Sequence, residues 1–330
     1  MLNPNLKLNP KLFDEDVEKD ATRIGFGKGL LKLGEADPNV VALCADLTES
    51  TNAHLFAEKF PERFFEMGVA EQNMAAVAAG LGVSGKVAFI SSYATFSPGK
   101  NWETIRTTIV YNKANVKIAG HHAGVMTGPD GSTHQATEDI AITRCWPDIE
   151  VYVPCDSIEG EKATIAAGQI KTPVYLRYSR DKTPIITTPD TPFTPGKMFD
   201  FWVSENPQAT IFATGYILYY ALVAARELEN EGINTTVVNA STIKPLDIEG
   251  ILNYTNQTGA IVTAEDHQVM GGMGSAIAEA LAAHNPLPIE FIGLQNTFAE
   301  TGTPADLIKK YGMDTNAIKE AVKRVIKRKG

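Results

Sequence analysis

Short apolar runs alternate with helical patterns along most of the chain. From residue 14 onward these runs are rich in Val, Ile and Phe, and most intervals between them have helical periodicity. The first six runs are VVALCAD (40–46), FFEMG (64–68), KVAFISS (86–92), VKIAGHH (116–122), EVYVPCD (150–156) and VYLRYS (174–179). Strands that alternate with helices in this way predict a parallel sheet covered by helices.

The alternation stops at a proline-rich segment and then restarts. Residues 183–197 contain four prolines and little periodicity, which is typical of a linker. The later runs are ATIFATG (209–215), NTTVVNAS (234–241), GAIVTAED (259–266) and IEFIGL (289–294). Because 330 residues exceed the size of one usual core, two domains are expected. The predicted fold class is α/β, with two doubly wound, mostly parallel domains at 14–182 and 198–330 and an N-terminal arm at 1–13.

The composition narrows the classes of ligand and partner. The formal net charge of −9 argues against broad binding of nucleic acid or anionic membranes, which needs clustered Lys and Arg. A phosphate-bearing ligand must therefore bind in a local pocket. No apolar run reaches the roughly 18 residues of a membrane span, and the polar N-terminus lacks the apolar region of a signal peptide. Three scattered cysteines predict no disulfide framework, so we expect a cytoplasmic setting.

One segment at the carboxyl end of a predicted strand, where ligands of parallel sheets collect, is dense in chemistry. The sequence GHHAGVMTGPDGSTHQ at 120–135, called here the histidine loop, carries His122, Asp130 and His134 among glycines that allow a folded loop. Imidazoles and a carboxylate can move protons or hold hydroxyl groups. A metal site is an alternative, although the spacing matches no standard zinc pattern, and a structural polar loop is another.

Two arginines and a serine lie at other predicted element boundaries. Arg23 is near a helix start, and Ser50 and Arg180 are in strand-end loops. A single arginine is most often a solvated surface residue, but guanidinium groups and a hydroxyl are what phosphate recognition requires. Sequence periodicity alone does not group these three positions.

Glu71 begins a helical segment that is otherwise almost wholly apolar. The stretch GVAEQNMAAVAAGLGV at 68–83 offers this carboxylate no polar residues at helical spacing. The acid either lies at a helix N-terminus, where the dipole favours it, or has a buried partner. Phe96 and Trp102, six positions apart at a predicted helix start, suit core or interface packing as well as a binding site.

Two segments of the second domain have no function assigned by these patterns. MGGMGSAIAEALAAH at 270–284 is similar to a dinucleotide-binding fingerprint, but Ile277 replaces its third glycine, which favours a tight turn with close helix packing. EDHQ at 265–268 could be an interface, a loop or a small regulatory site.

Taken together, these motifs resemble the transketolase family over about residues 17–328. The matches agree in order and spacing, and they are ATR (21–23), ADLTEST (45–51), GVAEQ (68–72), GPDGSTHQATED (128–139) and YSRD (178–181). The covered part is the pyrimidine-binding domain plus the C-terminal domain. The chain is therefore similar to the second subunit of a split transketolase.

For the cofactor, the resemblance implies thiamine diphosphate. Glu71 would be the catalytic partner of the aminopyrimidine N1′, and Phe96 would stack on the pyrimidine. Two positions depart from the family pattern: Gly99 replaces an aromatic residue, and Trp102 stands where a tyrosine is expected. We place Trp102 with Phe96 in the cofactor-binding set.

For the substrate, the resemblance implies a sugar phosphate. His122 and His134 would be catalytic and contact the sugar and the reacting oxygens, while Asp130 would contact a hydroxyl near the new bond. The residues that would form the phosphate clamp are Arg23, Ser50 and Arg180.

The implied reaction moves a two-carbon ketol unit from xylulose 5-phosphate to ribose 5-phosphate in the pentose phosphate pathway. The family's Gly-Asp-Gly motif with its distant Asn, which holds the diphosphate and Mg²⁺ or Ca²⁺, is absent. We therefore expect no metal on this chain, and an N-terminal partner subunit that carries this site in an α2β2 assembly. Three alternatives remain: a subunit similar to deoxyxylulose-phosphate synthase, a subunit similar to the small subunit of 2-oxo acid dehydrogenases, and a non-catalytic regulatory subunit.

Overall fold

The computed structural model of the chain describes residues 1–329, which form two helix-flanked sheets and a short two-stranded ribbon. The strands are β1 (Lys19–Asp20), β2 (Val40–Cys44), β3 (Phe64–Glu66), β4 (Val87–Tyr93), β5 (Val116–His121), β6 (Glu150–Tyr152), β7 (Val174–Arg177), β8 (Thr183–Pro184), β9 (Phe199–Trp202), β10 (Ala209–Ala213), β11 (Thr235–Asn239), β12 (Thr242–Lys244), β13 (Ile261–Gln268) and β14 (Ile289–Leu294).

Helices cover both sheets and fill most intervals between the strands. The α-helices are α1 (Thr22–Ala36), α2 (His54–Lys59), α3 (Glu71–Val83), α4 (Trp102–Thr104), α5 (Asp139–Arg144), α6 (Ser157–Gln169), α7 (Ile217–Asn230), α8 (Ile248–Thr258), α9 (Met273–His284), α10 (Pro304–Lys310) and α11 (Thr315–Arg328). Short 3₁₀ segments lie at Pro4–Leu6, Pro61–Arg63 and Val125–Asp130, and π-helical segments lie at Thr95–Lys100 and Ile105–Val110.

The first sheet has seven strands in the order β12-β6-β7-β5-β4-β2-β3. All neighbouring pairs are parallel except β12 with β6, which pair antiparallel. The second sheet has the order β14-β13-β10-β11-β9, in which only β9 is antiparallel to its neighbour. Two mostly parallel sheets flanked by helices confirm the predicted α/β fold class.

The two sheets are packed together. One continuous apolar cluster contains Val41 and Ile90 from the first sheet together with Phe212 and Val238 from the second. The edge strand β12 of the first sheet also comes from the second half of the chain, which the sequence pattern did not indicate. The residues at the carboxyl edge of the first sheet can therefore touch the second sheet. Among residues 1–329, no helix is both long and apolar enough to cross a membrane.

Candidate active site

The carboxyl ends of β2, β4, β5 and β7 meet at one edge of the first sheet, because these four strands are parallel neighbours. The segments that follow them carry four of the candidate residues, Ser50, Phe96, His122 and Arg180. The structure brings most of the candidate side chains into two neighbouring groups, one aromatic and one cationic.

The aromatic group surrounds His122, the first residue after β5. His122 has a left-handed backbone (φ 51°), and its ring stacks on Tyr93 with 3.9 Å between centroids. The ring centroids of Phe96 and Tyr93 are 6.1 Å apart. Those of His134 and Phe96 are 5.4 Å apart, in an edge-to-face arrangement. Tyr93, the last residue of β4, was not among the predicted site residues, although it directly follows the apolar run KVAFISS at 86–92.

The environment of His122 keeps its imidazole neutral. The side chain is buried, and its Nδ1 has no hydrogen-bond partner within residues 1–329. Burial, followed by the nearby Arg23, Arg180 and His134, lowers the pKa of His122 from 6.5 to about 3. A neutral imidazole with a free nitrogen can accept a hydrogen bond or take up a proton from a ligand hydroxyl.

The cationic group contains the three residues of the predicted phosphate clamp, Arg23, Ser50 and Arg180. Arg180 Nη1 donates to Asp130 Oδ1 at 2.9 Å and to the carbonyl of Thr127 at 2.6 Å. Arg23 Nε donates to the carbonyl of Arg180 at 3.1 Å, and its Nη1 donates to the carbonyl of Ser50 at 2.5 Å. Ser50 thus takes part through its backbone rather than its hydroxyl. Both guanidinium groups are held in place while part of their donor set remains free.

Glu71 has a partner that the sequence did not indicate. It is the first residue of α3 and only 2% exposed, and its Oε2 accepts from Lys100 Nζ at 2.7 Å. The Lys100 side chain is 47% exposed, so its ammonium can move to water at little cost. Asn101 Nδ2 donates to the Glu71 carbonyl at 3.0 Å and fixes the start of the helix.

Trp102 lies apart from the aromatic group. Its Nε1 donates to the carbonyl of Ile142 at 2.8 Å, and its ring lies 5.3 Å from that of Trp146. These contacts place Trp102 against the apolar cluster shared by the sheets. Its predicted cofactor contact stays a prediction, whereas its packing role is visible.

Two of the three candidate metal ligands of the histidine loop contact other side chains of the chain. Asp130 pairs with Arg180, and His134 Nδ1 contacts the Thr133 hydroxyl at 2.9 Å. Among residues 1–329, no three His, Cys, Asp or Glu side chains gather closely enough to hold a metal ion.

The glycine-rich start of α9 is occupied by a side chain of its own domain. The Glu265 carboxylate accepts from the backbone N–H groups of Met273 and Gly274 at 2.7 and 2.8 Å. A Cβ at Gly272 would come within 2.2 Å of the same carboxylate. This is the tight turn with close helix packing, because the carboxylate fills the place where a dinucleotide would need its phosphates.

Comparison with known proteins shows which protein family this chain matches. The family model described as transketolase, pyrimidine binding domain, matches residues 18–185, and that described as transketolase, C-terminal domain, matches residues 202–318. A Methanocaldococcus jannaschii protein, provisionally named a transketolase C-terminal section, is 39% identical over 93% of this chain and 96% of the relative.

Further relatives differ in length and in the substrate that their names give. A 6-deoxy-6-sulfo-D-fructose transketolase subunit from Clostridium sp. is 36% identical and covers 96% of this chain and 98% of the relative. Homo sapiens transketolase is 35% identical, and the match covers 94% of this chain but only 49% of that enzyme. A solved structure described as a split gene transketolase, inactive beta4 tetramer, superposes with a TM-score of 0.87 at 43% identity, covering 94% of this chain and 99% of that one.

Proposed function

The chain belongs to the transketolase family and corresponds to its C-terminal section, and from that premise we propose that it is one half of a ketol transferase for sugar phosphates. One observation carries the proposal. The neutral His122 lies beside Arg23 and Arg180, the second of which pairs with Asp130. The buried Glu71 carboxylate lies at the same edge of the sheet. Cations suit a phosphate, and the imidazole and carboxylate suit hydroxyl groups.

The residues present fit an aminopyrimidine ring, as the family's thiamine diphosphate requires. The buried Glu71 carboxylate has one mobile side-chain partner, Lys100. Phe96 is a half-buried aromatic ring in the same short segment as Lys100. The buried Asn101 Oδ1 has no hydrogen-bond partner within residues 1–329, which leaves an acceptor free for a polar ligand. When bound, thiamine diphosphate supplies the nucleophilic carbon and the electron sink for moving a two-carbon unit.

The chain's own residues then have distinct tasks. Glu71 holds a proton at a pyrimidine nitrogen once Lys100 has moved away, and Phe96 covers the ring face. His122 takes a proton from a substrate hydroxyl and returns it, with His134 beside it. Arg23 and Arg180 bind the phosphate of both donor and acceptor, so the two substrates are oriented by the same anchor.

The diphosphate and its metal ion need a second chain in this proposal. We place Mg²⁺ or Ca²⁺ with the diphosphate on an N-terminal transketolase subunit, because the Gly-Asp-Gly motif with its Asn is absent from this sequence. The expected assembly is α2β2, in which the cofactor lies between chains.

The first candidate donor and acceptor are xylulose 5-phosphate and ribose 5-phosphate, as in the pentose phosphate pathway. A second candidate donor is 6-deoxy-6-sulfofructose, because one relative is named for that substrate. A sulfonate is a tetrahedral anion like a phosphate, so the same pair of arginines suits it. The clamp geometry therefore favours anionic ketoses as a class.

The test is reconstitution with a panel of donors. This chain is mixed with the N-terminal subunit, thiamine diphosphate and Mg²⁺, and two-carbon transfer to ribose 5-phosphate is measured from xylulose 5-phosphate and from 6-deoxy-6-sulfofructose. Activity only in the mixture supports the proposal, and the relative rates with the two donors identify the preferred substrate. An assembled complex that binds cofactor yet transfers from neither donor contradicts it.

A further inference from the structure

A buried carboxylate of the second sheet binds the neck of the histidine loop, which is the place where the two ends of the loop come together. Asp266 lies in β13, and its Oδ1 accepts from the backbone N–H of Val125 at 3.0 Å. Its Oδ2 accepts from the Tyr216 hydroxyl at 2.5 Å. Asp266 is only 2% exposed, so both oxygens depend on these protein donors.

The loop backbone lies directly against this carboxylate. Gly124 has φ +76°, and a Cβ there would come within 1.9 Å of Asp266 Oδ2. The Gly124 N–H also donates to the Ala136 carbonyl at 2.7 Å, which closes the loop at its neck. Only a glycine fits a left-handed position in such close contact with another side chain.

The far side of the neck is held by the same strand. Arg177 Nη2 donates to the Asp266 carbonyl at 2.7 Å and to the Ala136 carbonyl at 3.4 Å. The Gln268 N–H donates to the Thr137 carbonyl at 2.7 Å. The positions of both ends of the histidine loop therefore depend on the position of β13.

The tip of the loop also touches the second domain. Gln135 Nε2 donates to the Glu300 carbonyl at 3.2 Å, and a Cβ at Gly131 would come within 2.6 Å of the Thr301 hydroxyl. Asp130, which pairs with Arg180, directly precedes Gly131 in sequence. The second domain thus supports the loop from neck to tip.

We propose that Asp266 is a positioning residue of the active site, through which the second domain sets where the histidine loop places His122 and Asp130 relative to the two arginines. This assigns a role to EDHQ at 265–268, for which the sequence left interface, loop and regulatory site open. The effect on sugar-phosphate binding rests on the proposed function, whereas the holding of the loop does not.

The neighbouring Glu265 provides a matched control. It lies in the same strand with the same burial, and as an adjacent strand residue it points to the opposite face. Its carboxylate caps α9 through Met273 and Gly274. Asp266→Asn and Glu265→Gln therefore remove similar buried charges, but only the first change touches the loop.

Two readouts test the proposal, one on the full chain and one on the reconstituted complex. Asp266→Asn turns an acceptor into an amide donor that faces Val125 N–H or the Tyr216 hydroxyl, so the neck should move. We expect the pKa of His122, followed by histidine NMR, to rise from about 3 toward 6.5. In the complex, KM for the sugar phosphate should rise roughly tenfold or more while the thiamine diphosphate affinity stays unchanged.

The outcomes separate three cases. The proposal is supported when Asp266→Asn moves both readouts and Glu265→Gln moves neither at a comparable loss of Tm. It is overturned when the folded Asp266→Asn chain keeps the His122 pKa and the KM of the wild type. A shifted His122 pKa in a system whose wild-type complex transfers no ketol unit keeps the positioning role and rejects the proposed function. Tyr216→Phe removes one donor to Asp266. It should change both readouts in the same direction as Asp266→Asn but by a smaller amount, and it decides the case if Asp266→Asn does not fold.

Discussion

The charge of His122 depends on neighbours that are distant in the sequence. Its ring is buried against Tyr93, and the cations of Arg23 and Arg180 lie close enough to oppose its protonation. The two arginines therefore have a second effect beyond the proposed binding of an anion. They keep the imidazole uncharged near neutral pH, so that its Nδ1 can accept a hydrogen bond.

We expect His122 to remain neutral down to about pH 4, since its pKa is about 3. Replacing Arg180 with Gln removes one opposing cation, so the pKa of His122 should rise toward 6.5. Histidine NMR titration measures both values, and His122→Gln assigns the resonance. Arg63→Gln, which removes a cation stacked on Phe60, should leave the titration unchanged. A wild-type His122 that titrates near pH 6.5 contradicts this electrostatic account.

Glu71 is the residue on which catalysis should depend most directly. In an assembled complex, Glu71→Gln keeps the volume but cannot exchange a proton with the cofactor, so kcat should fall by about 10²- to 10⁴-fold. Glu103→Gln, an exposed acid on α4, should leave kcat unchanged. Steady-state assays after verified assembly make the comparison. Retained activity of Glu71→Gln would instead favour the regulatory-subunit alternative.

At the scale of elements, one segment connects Glu71 with the aromatic group of the site. The π-helical residues 95–100 carry Phe96 toward the aromatic group and Lys100 toward Glu71.

Helix α1 carries Arg23, and the position of α1 depends on its close packing against α6. The helices approach at Gly25, where an added Cβ would lie 2.0 Å from the Ser157 carbonyl oxygen.

Gly25→Ala should therefore separate α1 from α6. Backbone atoms on α6 cannot move aside as a flexible side chain can, so the free energy of unfolding should fall by about 3 kcal/mol or more. Urea denaturation of the full chain measures this loss. The control is Gly80→Ala on α3, where a Cβ would meet nothing within 4 Å and helix propensity should add up to about 1 kcal/mol of stability. Equal effects of the two alanines would contradict the role of close packing.

At the scale of the molecule, buried polar groups join the two sheets. Glu159 of α6 accepts from the Cys155 N–H at 2.7 Å and from Asn239 Nδ2 of the second sheet at 2.8 Å. Burial, together with the nearby Asp156 charge, raises the pKa of Glu159 from 4.5 to about 7. The junction between the sheets therefore contains a carboxyl group that titrates near neutral pH.

This group makes stability depend on pH in a definite direction. Because the folded-state pKa is raised, the unfolded chain releases this proton first. The stabilisation is complete below about pH 4.5 and is lost as the pH rises through about 7. Glu159→Gln should remove this term, which amounts to about 3 kcal/mol. Urea denaturation at several pH values gives the difference between wild type and variant, and a difference that is constant from pH 4.5 to 8 would reject the assignment.

Much of the architecture could be predicted from local patterns. The alternation of apolar runs and helical periods indicated the strands β2 to β7, the strands of the second sheet except β9, and helices in most intervals between them. Strands buried on both faces are nearly continuous apolar runs, and helices buried on one face have a helical period. The motif around Glu71 and the histidine loop indicated the family, which the comparisons confirm. The strands β1, β8, β9 and β12 were missed. Each of them pairs antiparallel with a segment distant in sequence, so none belongs to the alternation of parallel strands and helices on which the prediction rests.

Local sequence patterns were sufficient to predict the fold class, the family and the segments that lie at the carboxyl edge of the first sheet. They did not predict which side chains meet there, and these pairs are visible only in the folded chain: Lys100 with Glu71, Tyr93 with His122, the Ser50 carbonyl with Arg23, and Asp266 with the histidine loop. The physical reason is that a period reports how each residue is buried in its own element. Contacts across 27 to 141 residues depend instead on how parallel strands and two packed sheets bring loops together.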